Sequence, residues 1–295
     1  MTCFAPALAG RTALVTGATD GLGRELALAL AAEGAQVIVH GRDAARGQAL
    51  VERIRAAGTG SARFIAADFA SLPAVHAFAD TIAADCPRLD LLVNNAGIGW
   101  FHAPRRRANA DGYELQFVVN YLAGWILVHR LRPNLAAAAP SRVINMASIA
   151  AAPIDFDDLM LEQPGAHLRG YGQSKLAQVT MTRALAPAFA ADGITMVALH
   201  PATLMDTTLV AGLDMPPRST IAQGRDHTLA LIHDPALAPG AFYEDGQAVA
   251  PRHPQADDPQ ARRRLLEASA ALTGVGFAGR PPPAPGTSPP QEQTR

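Results

Sequence analysis

The stretch Thr12-Ala13-Leu14-Val15-Thr16-Gly17-Ala18-Thr19-Asp20-Gly21-Leu22-Gly23 decides the fold. Its first five residues form a short β-rich run. Gly17, Gly21 and Gly23 then break that run, and Leu22, Leu26 and Leu30 recur at helical spacing as far as Gly34, a helix stop. Glycine allows positive φ and close backbone approach. The helix start beyond it offers free N–H groups and a partial positive charge, both suited to a phosphate. A glycine trio also occurs in ordinary tight turns. Its place between a strand and a helix is what points to a dinucleotide.

The strand–helix alternation continues outward from this stretch. Gln36–His40 reads as a second strand. Asp43 caps the next helix, with Leu50, Val51 and Ile54 on one face and Gly58 at its end. Ala62–Ala67 is a third strand, and Ser71 caps a helix carrying Val75, Phe78 and Ile82. Leu89–Val93 is a fourth strand, followed by Asn94-Asn95-Ala96-Gly97. A long apolar helix is expected over 111–131, then a fifth strand at Arg142–Met146. Asp155–His167 reads as an irregular loop and Tyr171–Phe189 as a helix. Ile194–Leu199 is a sixth strand, and Phe242-Tyr243 falls in a seventh. Asp258 and Pro259 open a last helix, with Leu265, Leu266 and Leu272 inward and Gly274 as its stop. This is an α/β pattern: a doubly wound parallel sheet with helices on both faces. All units share one sheet, so residues 1–280 are expected to form one domain. The tail 281–295 holds six prolines in fifteen residues and is expected to be disordered.

Composition narrows the class. The 295 residues are 49% apolar, which excludes wholesale disorder. Lys+Arg 25 against Asp+Glu 26 leaves no basic surplus for nucleic acid or an anionic membrane. Cys3 and Cys86 are too few for a disulfide framework, and a reduced, cytoplasmic setting is expected. No signal peptide or membrane anchor is read. Nine histidines show no tight ligand spacing, so no metal is expected. Arg105–Arg107 and Arg262–Arg264 read as solvated faces. Trp100, Phe101 and Phe156 read equally as pocket lining or packing.

One lysine, Lys175, stands among 24 arginines. Lysine can shift its pKa and lose its proton where arginine cannot, so Lys175 is the first residue to suspect of chemistry. Tyr171 lies four residues before it, on the same helix face. A nearby ammonium is expected to lower the phenol's pKa toward a range useful for proton transfer. Ser148 closes the fifth strand, at the sheet end where α/β proteins bind ligands; it reads either as a turn serine or as a hydroxyl for a carbonyl oxygen. Asn120 lies in an apolar helix, where its amide needs a partner, as a structural bonder or in a polar relay. The second strand ends His40-Gly41-Arg42, with no acid for a ribose 2′-hydroxyl. An arginine there favours the 2′-phosphate of NADP(H) over NAD(H), against a bland reading as a solvated side chain.

Taken in order, TGATDGLG, Asn94-Asn95-Ala96-Gly97, Asn120, Ser148 and Tyr171-Gly172-Gln173-Ser174-Lys175 resemble the short-chain dehydrogenases/reductases, from about Arg11 to Gly246. That resemblance implies a Rossmann-like sheet of about seven strands and a catalytic tetrad of Asn120, Ser148, Tyr171 and Lys175. It implies cofactor contacts from Gly17, Thr19, Asp20, Gly21, Leu22 and Gly23, from Arg42, and from Asp68 near the adenine. Asn95, Ala96 and Gly97 would lie beside the cofactor and Pro201 near the nicotinamide. Ser148 and Tyr171 are 23 residues apart, a long interval. With Asp155-Phe156-Asp157-Asp158-Leu159 inside it, the chain is similar to the retinol-dehydrogenase-like branch, commonly NADP-linked and active on lipophilic alcohols and carbonyls. Three positions depart from the pattern: Ala147 replaces a serine, Ala202 replaces the glycine after Pro201, and Thr207 falls one place late. The expected reaction is hydride exchange between NADP(H) and a carbonyl or alcohol. Tyr171 serves as general acid/base, Ser148 on the oxygen, Lys175 on the ribose and Asn120 on a water. A homodimer or homotetramer is expected through helices 111–131 and 171–189. Two other readings use a related fold. A non-catalytic dinucleotide sensor would have a broken tetrad. An extended-branch epimerase would space its glycines GxxGxxG, whereas this chain has GxxxGxG.

Overall fold

Short β-branched and apolar runs make the strands, and polar caps start the helices between them. The computed structural model describes residues 7–99, 104–211, 213 and 215–276. Chain order is β1 (Thr12–Val15), α1 (Gly21–Ala32), β2 (Gln36–Gly41), α2 (Ala44–Ala57), β3 (Ser61–Ala66), α3 (Leu72–Asp85) and β4 (Leu91–Asn94). Then come α4 (Leu115–Phe117), a π-helical turn (Val118–Leu122), α5 (Ala123–Arg130), α6 (Arg132–Ala137) and β5 (Ser141–Met146). The second half holds α7 (Gly170–Ala190), β6 (Ile194–His200), α8 (Ile221–His233), β7 (Phe242–Glu244), β8 (Gln247–Val249) and α9 (Pro259–Thr273).

The sheet runs β3-β2-β1-β4-β5-β6-β7-β8. Every pairing is parallel except β7 with β8. Val15 pairs with Val39 on one side and Val93 on the other. Side chains alternate between faces, as the pleat requires. Leu14, Leu92 and Val143 join a core with α3, α5, α7 and α9. Val15, Val93 and Ile144 join a second core with α1, α2 and α8. Strand order reverses between β1 and β4, so their carboxyl ends open a crevice there.

The expected caps are in place. Asp43 accepts from Arg46 N at 3.0 Å, Ser71 from Ala74 N at 3.3 Å, and Asp258 from Gln260 N at 2.9 Å. Gly58 and Gly274 end their helices with φ of 75° and 67°.

Three features differ from the sequence reading. The helix expected from residue 111 starts at Leu115. The Asn109 side chain accepts from Asp111 N and Tyr113 N and folds 109–113 into a turn; Glu114 then caps the helix through Phe117 N at 2.6 Å. Helix α8 was not anticipated, although Thr220 and Gln223 make a reciprocal capping box at its start. Strand β8 was not anticipated either. Asp245 and Gly246, both at positive φ, form the two-residue turn that an Asp-Gly pair favours in a hairpin. Helix α9 lies over part of the two helices named for self-association. Gly172–Thr182 is buried throughout, α9 lies against α7, and Tyr121 Oη meets Ser269 Oγ of α9 at 2.7 Å.

The long interval before Tyr171 is irregular, as expected, and tied down. Gln173 accepts from Asp155 N at 2.9 Å and donates to Leu159 O at 2.8 Å. Phe156 packs against the core with the Arg264 guanidinium 4.8 Å from its ring centroid. Arg262 and Arg264 pair with Asp257 and Asp157, and Arg106 donates to Met160 O. Trp100, Phe101, Cys3 and the tail 281–295 lie outside the described residues. Among those described, no helix is long and apolar enough to cross a membrane.

Candidate active site

Strand ends and the helices that pack against them bring the chemistry-bearing residues to one sheet edge. Beyond β1, Gly17 holds φ of +62°, and a Cβ there would lie 2.8 Å from Ala96 Cα. A Cβ at Gly23 would lie 2.3 Å from the Gly17 carbonyl oxygen. Both positions therefore exclude a side chain, which is why the turn and α1 can press together. Asn95 braces the turn from below: its Nδ2 donates to Thr16 O at 2.8 Å and Gly17 O at 3.2 Å. The Thr16 hydroxyl oxygen accepts from the N–H groups of Asn95 and Ala96, each at 2.9 Å. Asn95, Ala96 and Gly97 thus line the crevice, while the Asn95 amide itself is spent on the turn.

Asp20 caps α1 through Gly21 N at 2.8 Å and accepts from Thr208 Oγ1 at 2.6 Å. The Thr208 hydrogen bond holds this carboxyl below its ordinary value. Arg46 lies 3.7 Å from the same carboxylate. The segment after β6 therefore closes over the glycine turn. Arg42 is exposed beyond β2. Thr19 packs beneath it on Gly41, where a Cβ would come within 2.6 Å of the Thr19 hydroxyl. Asp68 is exposed beyond β3 and accepts from Ala70 N at 3.1 Å.

Ser148, Tyr171 and Lys175 meet across the crevice floor. Ser148 follows β5, and its side chain hydrogen-bonds the Tyr171 phenol. Burial raises the Tyr171 pKa, and that hydrogen bond opposes the rise. Lys175 is 4% exposed, and its ammonium donates to Met146 O at 2.6 Å and Gln178 Oε1 at 3.0 Å. Nζ lies 5.6 Å from the Tyr171 ring centroid. Burial, with no carboxylate beside it among the described residues, draws Lys175 down to about 7. The expectation that Lys175 depresses the phenol is thus not met in the protein alone: desolvation dominates the tyrosine, and the lysine turns toward a carbonyl and an amide.

Asn120 sits on the π-helical turn, a distortion frequent at functional sites. Its Oδ1 accepts from Ile98 N at 2.8 Å, and its Nδ2 donates to Ile98 O at 3.0 Å and Ser174 Oγ at 2.9 Å. Both amide protons are committed to the protein. The side chain clamps the irregular segment after β4 to the helix turn that carries Lys175. Pro201 lies at the crevice, with its carbonyl 2.7 Å from His227 Nδ1. His200 meets Thr203 Oγ1 at 3.0 Å, and burial lowers its pKa.

The crevice has a volume of about 490 Å³. Its lining includes the apolar residues Ile149, Ala150, Leu204, Leu209, Val210 and Leu213. Sequence places the segment from about Thr203 to His227 over the substrate without naming lining residues, and Leu204, Leu209, Val210 and Leu213 supply that wall; Gln178 is not singled out by sequence. Gln178 stands one turn beyond Lys175, so spacing could have found it. The wall has no periodic signal. A larger hollow of about 690 Å³ lies at the opposite, amino end of the strands, where Arg11 and Arg63 are paired with Asp90 and Asp85. It shares no lining residue with the crevice.

Comparison with known proteins agrees with this geometry. A family model described as short chain dehydrogenase matches residues 11–215. Human "Retinol dehydrogenase 13" is 35% identical over 288 residues, covering 90% of this chain and 85% of its own. A solved structure of an uncharacterized protein from Mycobacterium paratuberculosis superposes with a TM-score of 0.74 at 29% identity, covering 92% of this chain and 96% of that one. The "Pseudomonas aeruginosa RhlG/NADP active-site complex" superposes with a TM-score of 0.66 at 28% identity, covering 82% and 97%.

Proposed function

The chain belongs to the short-chain dehydrogenase family, in its retinol-dehydrogenase-like branch, and from that premise we propose that it is an NADP(H)-dependent oxidoreductase interconverting a carbonyl and an alcohol on a lipophilic small molecule. One observation carries the reading: Ser148, Tyr171 and Lys175 converge on the floor of an apolar-walled crevice that also holds the glycine turn.

The glycine turn fits a dinucleotide. Its two closest glycines have no room for a Cβ, and the helix start beside it suits a phosphate. Arg42, exposed beyond β2 with no acid at Gly41, supports NADP(H), as does the NADP complex of a structural relative. When bound, the nicotinamide supplies or takes the hydride at the substrate's carbonyl carbon. Ser148 donates a hydrogen bond to the substrate oxygen. Tyr171, held protonated by burial, gives that oxygen its phenolic proton and takes it back in the oxidation direction. Lys175, drawn to about 7, keeps a substantial cationic fraction at neutral pH, and that charge favours the phenolate left after transfer. Asn120 keeps the Lys175 turn in place through Ser174. Ile149, Ala150, Leu204 and Val210 exclude water and favour an uncharged apolar substrate.

The test is NADPH and NADH consumption over a panel of apolar ketones, aldehydes and quinones, with the reverse reaction on the matching alcohols. NADPH should be consumed faster than NADH. Cofactor binding without consumption across the panel would favour the sensor reading instead.

A further inference from the structure

We propose that His40 is a positioning residue for the cofactor: its imidazole fixes Gly17 in the conformation that receives the dinucleotide. The inference rests on the cofactor reading above. It concerns a side chain that takes no part in the proton transfer.

His40 lies near the end of β2, 2% exposed. Its Nδ1 is 3.1 Å from the Gly17 N–H, and its Nε2 is 3.2 Å from the Ala67 carbonyl. A backbone N–H can only donate and a carbonyl can only accept. The ring must therefore be neutral, with the proton on Nε2 and the lone pair on Nδ1. The His40 backbone carbonyl also accepts from Ala18 N at 2.7 Å. One residue thus receives two successive N–H groups of the turn. Phe69 stacks on the ring at 3.9 Å and 16°, and Phe78 meets it at 4.8 Å. These contacts leave the imidazole one orientation. Burial holds its pKa to about 4, with Asp68 opposing the shift and Arg42 adding to it, so the Nδ1 lone pair persists at neutral pH.

Gly17 gains from this directly. At φ of +62° its N–H is directed at the His40 ring, in a part-buried position where losing that acceptor removes its partner. The same ring reaches Ala67, next to Asp68 at the end of β3. A single imidazole therefore ties the turn to the strand ends expected to flank the adenine.

The test measures NADPH Kd by fluorescence together with the cofactor-free thermal midpoint. It compares wild type with His40→Phe, His40→Asn and His40→Gln. Phenylalanine keeps the stacking and loses both hydrogen bonds. Asparagine can set Oδ1 near the Nδ1 position and restore only the Gly17 acceptor. Glutamine can set Nε2 near its namesake and restore only the Ala67 bond. His40→Phe should raise Kd about tenfold or more. His40→Asn should return it to within about threefold of wild type, and His40→Gln should not. The kcat at saturating NADPH should change little throughout. A merely structural role would lower the midpoint in all three variants and leave Kd alone, and that result overturns the inference. If His40→Phe does not fold, the Asn–Gln contrast decides, and equal Kd values for the two overturn it. If wild type binds NADPH and His40→Phe binds it equally well, only this inference falls. If wild type binds neither NADPH nor NADH, the cofactor reading falls with it.

Discussion

Replacing Lys175 by methionine should change how the cofactor-free protein's stability depends on pH. The ammonium is enclosed with a carbonyl and an amide as partners and, among the described residues, no carboxylate. Its pKa falls from 10.5 in the open chain to about 7 in the folded protein. Between those values the unfolded chain holds a proton that the folded chain has released. Wild-type stability therefore rises with pH through this window, by up to about 1.4 kcal/mol per pH unit. Below pH 7 both states hold the proton, and the burial cost is at its full size, on the order of 5 kcal/mol. Lys175→Met removes that cost and leaves two buried acceptors without a donor, at about 1–3 kcal/mol each. The absolute difference at pH 7 is therefore small, but its slope is not. From pH 7 to pH 9 wild type should gain roughly 2–3 kcal/mol on the variant. At about 2–4 °C per kcal/mol, that is roughly 4–12 °C in relative Tm. Thermal unfolding of both proteins, without cofactor, in matched buffers reads it out. A flat difference, or one of opposite sign, would mean that Lys175 keeps its proton when folded and that the account of its burial is wrong.

Three other perturbations probe different parts of the account. Ser148→Ala removes the hydrogen bond that lowers the Tyr171 pKa, so the kcat/KM profile should move to higher pH and its plateau should fall by about 10²-fold or more. An unchanged profile would separate Ser148 from the phenol. Arg42→Ala should weaken NADPH binding by about tenfold or more while NADH changes less than about twofold, by titration of each nucleotide. Equal losses would refute the 2′-phosphate role. Leu265→Ala, at a fully buried position where α9 packs against α7, should cost about 2–5 kcal/mol by denaturant unfolding. A cost below about 1 kcal/mol would mean that α9 is only loosely docked.

Much of the fold was legible because it rests on local signals. The glycine turn, the caps at Asp43, Ser71 and Asp258, and the stops at Gly58 and Gly274 each announce themselves within four residues. The Ser148–Tyr171–Lys175 grouping was legible for a different reason: Tyr171 and Lys175 share a helix face by their four-residue spacing, Ser148 falls at a strand's carboxyl end, and the family resemblance joins the two. Environments were not legible. Nothing in Tyr171-Gly172-Gln173-Ser174-Lys175 says that Lys175 would face Met146 O rather than a carboxylate, because Met146 lies in β5, 29 residues earlier. Nor does an isolated Asn120 reveal that Ile98 and Ser174 absorb its amide. The packing of α9 on α7 is not legible either, because the two helices are more than sixty residues apart in sequence. The α8 start at Thr220 and Gln223 was readable and was overlooked in a segment poor in apolar periodicity.

The central claim is that Tyr171 passes a proton to the oxygen of a carbonyl reduced at this crevice. It is tested most directly by single-turnover reduction with NADPH carrying deuterium at the transferable position, in wild type and Tyr171→Phe. The account predicts that wild type places deuterium on the carbonyl carbon of the product. The variant should bind NADPH within about twofold of wild type yet transfer it at least about 10²-fold more slowly. Transfer at the wild-type rate by Tyr171→Phe would contradict the account.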